Sequence, residues 1–398
     1  MSVKRVKSLL FYEAAGTPSG RIVRTLIEKG PLSAREIGLS TGLAKSTVST
    51  ALAGLRAVSM VVDRPPNRQN HGVGRPATTV SLNPQAGTCV GLLIGAEHMQ
   101  LIVADVSHAV LFDRTLLLGV DHKVEEVPGK AAVMLAQAYA ELSLSRDTLL
   151  GVGIAVGGPV NPMDGRMLRP GGMPNWAGVD IRARFEPVLQ QAVFADNESN
   201  CSAIAEMTWG AAAGHEDFVF FTVDLGVGGA IVAHGRVVTG IAGGAGEFGH
   251  ISIDPEGELC RCGNRGCLEL QASLRKPLEL ASRRFGRAVG SEELIELALG
   301  GDVGCQRLLT DTAEAAGRGL AMVGSAINPG LVVLGGRAAL AGELFMAPLE
   351  AAYDHHTLVK RSDVAPQAQT RFVASRYTRN SACMGAVGMV LRHYGRRA

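Results

Sequence analysis

Three of the seven cysteines of this 398-residue chain fall within eight positions, and no other feature limits its folding so tightly. The stretch from Gly246 to Glu269 reads GEFGHISIDPEGELCRCGNRGCLE. His250, Cys260, Cys262 and Cys267 are donors of the kind Zn2+ prefers, near enough in sequence for one glycine-rich loop to wrap them round a tetrahedral ion. Gly263 and Gly266 flank Asn264 and Arg265 and let the backbone turn between the last two thiolates. One structural zinc per chain is therefore expected, in a loop over 246–269. The alternatives are buried free thiols or a disulfide within the cluster. Reduced cytosolic conditions and the Gly-, Asn- and Arg-rich setting weigh against both. Cys89, Cys201, Cys305 and Cys383 stand alone and read as core residues. Glu247 and Glu269 sit at the two ends of the stretch. A pinned loop could hold both carboxylates and the free nitrogen of His250 rigid on one wall of a pocket, and such a wall suits a sugar.

The length exceeds one ordinary domain, so two or three are expected. No apolar run approaches a membrane span, and MSVKRVKSLLFYEAAG lacks a signal-type cleavage pattern, so the expectation is a soluble, cytoplasmic protein without a membrane partner. Charge is unevenly placed. Before residue 86 there are twelve Lys and Arg against four Asp and Glu, a balance of +8, which leaves −6 for the remainder of a chain of net charge +2. A basic module on an acidic body points to a polyanionic partner for the first part, although a merely solvated basic face would carry the same charge.

The N-terminal module adds pattern to charge. Pro18 to Lys29 has apolar residues at helical spacing, including Ile22 and Leu26, and Gly30-Pro31 ends it. Ser33 opens a second short helix with Glu36 as its capping-box partner, Ala34 and Ile37 are expected inward, and Gly42 provides the turn. A third helix from about Ala44 carries Val48, Leu52 and Leu55 on one face. Its other face carries Lys45, Ser46, Thr47, Ser49 and Thr50, side chains suited to phosphates and base edges in a major groove. Ser59–Arg64 and Thr78–Leu82 read as paired strands around the polar tip PPNRQNHGVGRPA, where Arg75 between Gly74 and Pro76 could enter a narrow minor groove. Together these make a winged helix-turn-helix over residues 1–85, with double-stranded operator DNA as partner and a homodimer reading two half-sites.

Asn83-Pro84-Gln85-Ala86-Gly87 is a boundary of breakers. Beyond it, residues 86–398 read as α/β. Strands are expected at Cys89–Gly95, Met99–Val106, Val110–Leu118, Leu149–Val156 and Val193–Ala195, with a helix over Val124–Ser143. A second series follows at Phe218–Val223, Gly229–His234, Val237–Thr239 and Leu331–Leu334.

Gly246-Glu247-Phe248-Gly249-His250 followed by Cys260-Arg261-Cys262-Gly263-Asn264-Arg265-Gly266-Cys267-Leu268-Glu269 closely resembles the signature of the ROK family of sugar kinases and sugar-responsive repressors. The resemblance extends over nearly the whole chain, since ROK repressors place a winged helix-turn-helix before the sugar domain. It implies an actin-like fold of the sugar kinase/hexokinase type, two α/β lobes with a pocket where they meet. It also implies that Asn197, Glu247, His250 and Glu269 contact sugar hydroxyls, with Asn175 as a further candidate, and that Glu198 stands at the family's catalytic aspartate. Amides and carboxylates there would pair with vicinal hydroxyls and penalise a wrong sugar; a capping or surface role is the plain alternative for each.

The kinase chemistry that the family also performs is not expected. Where it carries Asp-x-Gly-Gly-Thr after the first strand, this chain has Leu93-Ile94-Gly95-Ala96-Glu97. Where it has Gly-Thr-Gly-x-Gly-Gly, this chain has Asp224-Leu225-Gly226-Val227-Gly228-Gly229. Two added acids repel a triphosphate. Glu for Asp at 198 moves the base by about 1.5 Å, and a misplacement near 1 Å costs about a hundredfold in rate. The resemblance thus implies a regulator, a repressor by family habit, that senses a sugar or sugar phosphate in a degenerate kinase site. The alternative is a bifunctional DNA-binding sugar kinase.

Overall fold

The computed structural model describes residues 16–65, 78–119, 122–169 and 172–393. The chain opens on α1 (Pro18–Lys29), entered by Thr17, whose Oγ1 accepts from the Gly20 N–H, and left at Gly30. A two-residue strand β1 (Leu32–Ser33) leads into α2 (Ala34–Thr41). The anticipated capping box is formed: the Glu36 N–H donates to Ser33 Oγ at 3.3 Å, and the Ser33 N–H to Glu36 Oε2 at 2.7 Å. Hydrogen bonding by the Ser33 hydroxyl and the Ser33 N–H holds the Glu36 carboxyl below its usual range. Gly42 closes the helix in the left-handed region, and α3 (Lys45–Ala57) follows. Ile22, Leu26, Ile37, Val48, Leu52 and Leu55 are buried together with Met60, so the three amphipathic faces meet as their periodicity requires. Ala34 is a correction. It lies exposed at the first position of α2, where the entering chain, not the helix face, sets its direction. β2 (Val61–Arg64) and β3 (Thr79–Leu82) pair antiparallel, with β1 on the far side of β3.

Next come β4 (Thr88–Ile94), β5 (His98–Asp105), β6 (Val110–Leu117), α4 (Val127–Glu141), β7 (Leu149–Val156), α5 (Ile181–Leu189) and β8 (Val193–Asn197). The five strands form one sheet in the order β6-β5-β4-β7-β8. β4 and β5 are antiparallel, β4 and β7 parallel. β7 is buried on both faces, which explains its continuous apolar run, whereas the edge strand β6 exposes most of its residues. The helix foreseen over Val124–Ser143 begins as a 3-10 turn, Val124–Glu126.

The chain then runs through α6 (Glu198–Trp209), β9 (Phe218–Val223), β10 (Val227–Ala233), β11 (Arg236–Val237), α7 (Leu268–Ala272), α8 (Arg275–Phe285), α9 (Ser291–Leu299), α10 (Val303–Ile327), β12 (Leu331–Gly335), α11 (Glu343–His356), β13 (Arg371–Ala374) and α12 (Ser381–His393). A second five-stranded sheet has the order β11-β10-β9-β12-β13. β10 is antiparallel to β9, and β12 lies parallel to both β9 and β13.

By contact the chain divides into two compact units, Met1–Val156 with Val179–Asp196 and Cys383–Ala398, and Gly157–Gly178 with Asn197–Ala382. In the first, α12 lies directly on the central strands. A Cβ at Gly91 would come within 2.0 Å of the Cys383 carbonyl oxygen, and one at Gly153 within 2.1 Å of that of Ala386, so only glycine admits the helix there. In the second, α10 and α11 pack with α7 and α9 over one core containing Phe221, Leu268, Leu320 and Phe345. The four isolated cysteines, Cys89, Cys201, Cys305 and Cys383, are all buried. Among the described residues no helix is long and apolar enough to cross a membrane.

Candidate metal centre and carboxylate site

The loop between β11 and α7 folds back on itself through its own backbone. Cys260 N–H donates to the Asn264 carbonyl at 2.7 Å, Gly266 N–H to that of Glu258 at 2.9 Å, and Leu268 N–H to that of Ile251 at 2.9 Å. Gly266 adopts φ +59°, and a Cβ on it would fall 1.7 Å from the Asp254 carbonyl oxygen, so this turn requires glycine twice over. The folding gathers His250, Cys260, Cys262 and Cys267, whose ligand atoms all lie within 4.8 Å of one another. Cys262 Sγ and Cys267 Sγ are 3.6 Å apart, and Cys260 Sγ and His250 Nδ1 3.8 Å. A tetrahedron with metal–sulfur bonds of about 2.3 Å has edges of about 3.8 Å, so the donor set fits a four-coordinate ion. The sulfur separation is far beyond a disulfide bond. Burial lowers the His250 pKa and so favours the neutral ring that ligation needs. With Nδ1 turned to the sulfurs, Nε2 is the nitrogen left to face a ligand.

Three carboxylates adjoin this centre in the same unit. Glu247 precedes the 3-10 turn Phe248–His250, which is anchored by buried Phe248 stacked on Phe221 at 6.4 Å. Glu269 lies on α7 just after the last cysteine and is buried. Its Oε1 meets Arg261 Nη2 at 2.8 Å, and its Oε2 accepts from the Val227 N–H at 3.2 Å. Glu198 is the first residue of α6. Burial, then repulsion by Asp224, raises its pKa to about 7 against the pull of Arg261, with Glu269 adding to the rise. Burial and repulsion by Glu198 and Glu269 likewise raise Glu247 to about 7. Such mutual influence places the three acids in one electrostatic neighbourhood.

Asn197 caps α6. Its Oδ1 accepts from the N–H groups of Ser199 and Asn200, and its Nδ2 donates to the Gly158 carbonyl at 3.1 Å. Asn175 is exposed on the 3-10 turn Pro174–Trp176, held by the fully buried Trp176. In the N-terminal module Lys45, Ser46, Ser49 and Thr50 are exposed on α3 and Thr47 is half-buried. Arg75 lies outside the described residues. Two residues escaped the sequence reading. Arg261, between two of the sulfur ligands, neutralises Glu269. Arg337 binds Asp224 with Nη1 at 2.7 Å and with its backbone N–H at 3.2 Å. A pair separated by 113 positions leaves no local signal.

A family model described as the ROK family matches residues 89–393. The xylose repressor of Bacillus subtilis (strain 168) is 29% identical over 314 residues, covering 79% of this chain and 80% of that one. The glucokinase of Thermotoga maritima is 31% identical over 212 residues, 50% of this chain and 67% of that one. A solved ROK family transcriptional regulator, a homologue of the E. coli Mlc protein, superposes with a TM-score of 0.73 at 23% identity, over 95% of this chain and 96% of that one. The architecture is thus the actin-like, sugar-kinase type.

Proposed function

The chain belongs to the ROK family, and from that premise we propose that it is a sequence-specific DNA-binding repressor whose operator affinity is set by a bound sugar. The observation that carries this reading is the N-terminal module. Its first three helices and antiparallel strands have the order of a winged helix-turn-helix, and α3 turns its apolar face inward and its hydroxyl and basic residues to solvent. The relatives named xylose repressor support the same direction. Lys45, Ser46, Thr47, Ser49, Thr50 and Arg75 are the proposed DNA contacts. Asn175, Asn197, Glu198, Glu247, His250 and Glu269 are the proposed sugar site, in which Asn197 acts at least through its cap on α6. Zinc is the proposed ion, because three thiolates and an imidazole at tetrahedral spacing are its ordinary donor set.

A kinase reading has in its favour the glucokinase relative and the carboxylate retained at Glu198. Against it stands Asp224, an acid held by Arg337 in the second phosphate-loop sequence, with Glu97 in the first. The deciding experiment measures operator binding by the purified protein with and without a panel of monosaccharides, alongside ATP turnover with the same panel. Sugar-dependent operator affinity without turnover is expected. Steady sugar phosphorylation would replace this function by the kinase.

A further inference from the structure

Glu206, on α6, is a carboxylate with no surface open to solvent, and hydrogen bonds from two directions hold it. From the end of its own helix the Ala211 N–H donates to Oε2 at 2.7 Å. From the segment that follows β13, the Ser375 hydroxyl donates to Oε1 at 2.5 Å and the Tyr377 N–H to the same oxygen at 3.1 Å. Gly210 leaves room for it, since a Cβ there would fall 2.1 Å from Oε2. Burying a charge costs more than an apolar contact of the same size, and what the hydrogen bonds give in return is a fixed geometry. The same two segments are joined again on either side of it. Arg376 Nη1 donates to the Trp209 carbonyl and Ser202 Oγ to Ser381 Oγ, both at 2.9 Å. Residues 375–381 are thereby fastened along most of α6.

Each fastened segment leads to a place that the proposed function needs. α6 starts at Glu198, capped by Asn197, both in the proposed sugar site. Residues 375–381 run straight into α12, whose Cys383 and Ala386 carbonyls lie against Gly91 of β4 and Gly153 of β7. β4 follows β3 after residues 83–87 alone, and in that connection Asn83 grips the N-terminal module. Its Nδ2 donates to the Ser59 carbonyl at 2.8 Å and its N–H to that of Met60 at 2.9 Å, just past the end of α3. A continuous line of hydrogen-bonded and packed backbone thus runs from the first turn of α6 to the end of α3.

Resting on the sugar-sensing reading above, we infer that Glu206 is a positioning residue that couples sugar binding to operator binding. By tying α6 to the entry of α12, it makes a displacement of the first turn of α6 a displacement of α12 and β4, and so of the N-terminal module. It touches neither sugar nor DNA, so it acts on the coupling between the two affinities and not on either affinity alone.

The test uses full-length protein, wild type beside E206Q and S375A, with a DNA fragment that the wild type selects from a random pool. Sugar affinity is measured by calorimetry with a monosaccharide panel that includes D-glucose and D-xylose, and DNA affinity by titration with and without each sugar. S375A keeps the carboxylate and removes one donor, so it serves if E206Q does not fold. The variants are expected to keep both separate affinities within about threefold of wild type, while the sugar-induced change in DNA affinity falls from about tenfold or more to about twofold or less. Because linkage is reciprocal, the effect of DNA on sugar affinity should fall by the same factor, which a general loss of stability would not produce. Variants that respond fully overturn the inference and leave sugar sensing standing. Variants that lose sugar binding, DNA binding and thermal stability together mark Glu206 as a fold residue alone, which overturns it equally. If no sugar binds the wild type or moves its DNA affinity, the sugar-sensing reading fails and the coupling falls with it.

Discussion

At Glu198 the cost of burial outweighs the help of a helix N-terminus. The N-terminus of α6 favours a carboxylate by about 0.3–1 kcal/mol, yet desolvation and the neighbouring acids lift the pKa from 4.5 to about 7. Between those values the folded protein holds a proton that the unfolded chain has released. The stabilisation is therefore full below about pH 4.5 and gone above about pH 7. Glu198→Gln is expected to flatten the stability profile between pH 5 and 8 and to raise stability at pH 8 by about 1–3 kcal/mol; denaturant melts across that range are the check. Cys267→Ser removes one donor of the proposed zinc site. It is expected to lower zinc from about one ion per chain to near none and to loosen the loop by several kcal/mol, weakening sugar binding as well. Metal analysis with native thiol titration tests this, and a wild-type protein that holds no zinc and has freely titrating thiols ends the zinc assignment.

Among the elements, α2 and α3 carry the clearest division between stability and recognition. The capping box of α2 serves the fold alone, so Ser33→Ala should cost about 1 kcal/mol without changing which operator is chosen. On α3 the apolar residues are spoken for, while Thr47 and Ser49 belong to the face expected in the major groove. Substitution at either is expected to alter base preference by about 1–3 kcal/mol at one position. Arg75→Ala, in the proposed wing, is expected to weaken binding most at A·T-rich flanks and to reduce the salt slope by about one. Competition among operator variants at several salt concentrations separates these outcomes, and binding indifferent to Arg75 removes the wing from recognition. Not every basic residue here is available to DNA, since Arg56 is paired with Asp63 at 2.7 Å.

For the whole molecule the proposed function requires that a bound sugar alter operator binding. A sugar shifts operator affinity only as far as it binds one state of the protein better than the other. A coupling of about 1–3 kcal/mol changes affinity by roughly five- to 150-fold, enough for a switch. Glu247→Ala is expected to leave operator affinity intact without sugar and to abolish the sugar's effect on it. Operator titrations at fixed salt, with and without the cognate sugar, decide this, and a mutant that responds fully removes Glu247 from the sugar site. A homodimer is expected to carry the response, because one small module reads only one half-site.

At this scale, what could be read from the residues alone was local chemistry. The capping box of α2, the ends of α1 and the buried strands β4 and β7 each depend on residues a few positions apart. So does the gathering of His250, Cys260, Cys262 and Cys267, whose loop closes through its own glycine turns and backbone bonds. Tertiary structure decided what depends on distant neighbours. β13, four residues without alternating burial, is a strand because β12 lies beside it, and Ala34 is exposed because of how the chain enters α2. The acidic residues were visible from the start, but which of them would be neutralised was not. Arg261 reaches Glu269 across its loop and Arg337 reaches Asp224 across 113 positions, whereas burial and the neighbouring acids push Glu198 and Glu247 up to about 7, towards the neutral form. A pKa raised by burial belongs to the space around a side chain, and that space is created only when the chain has folded.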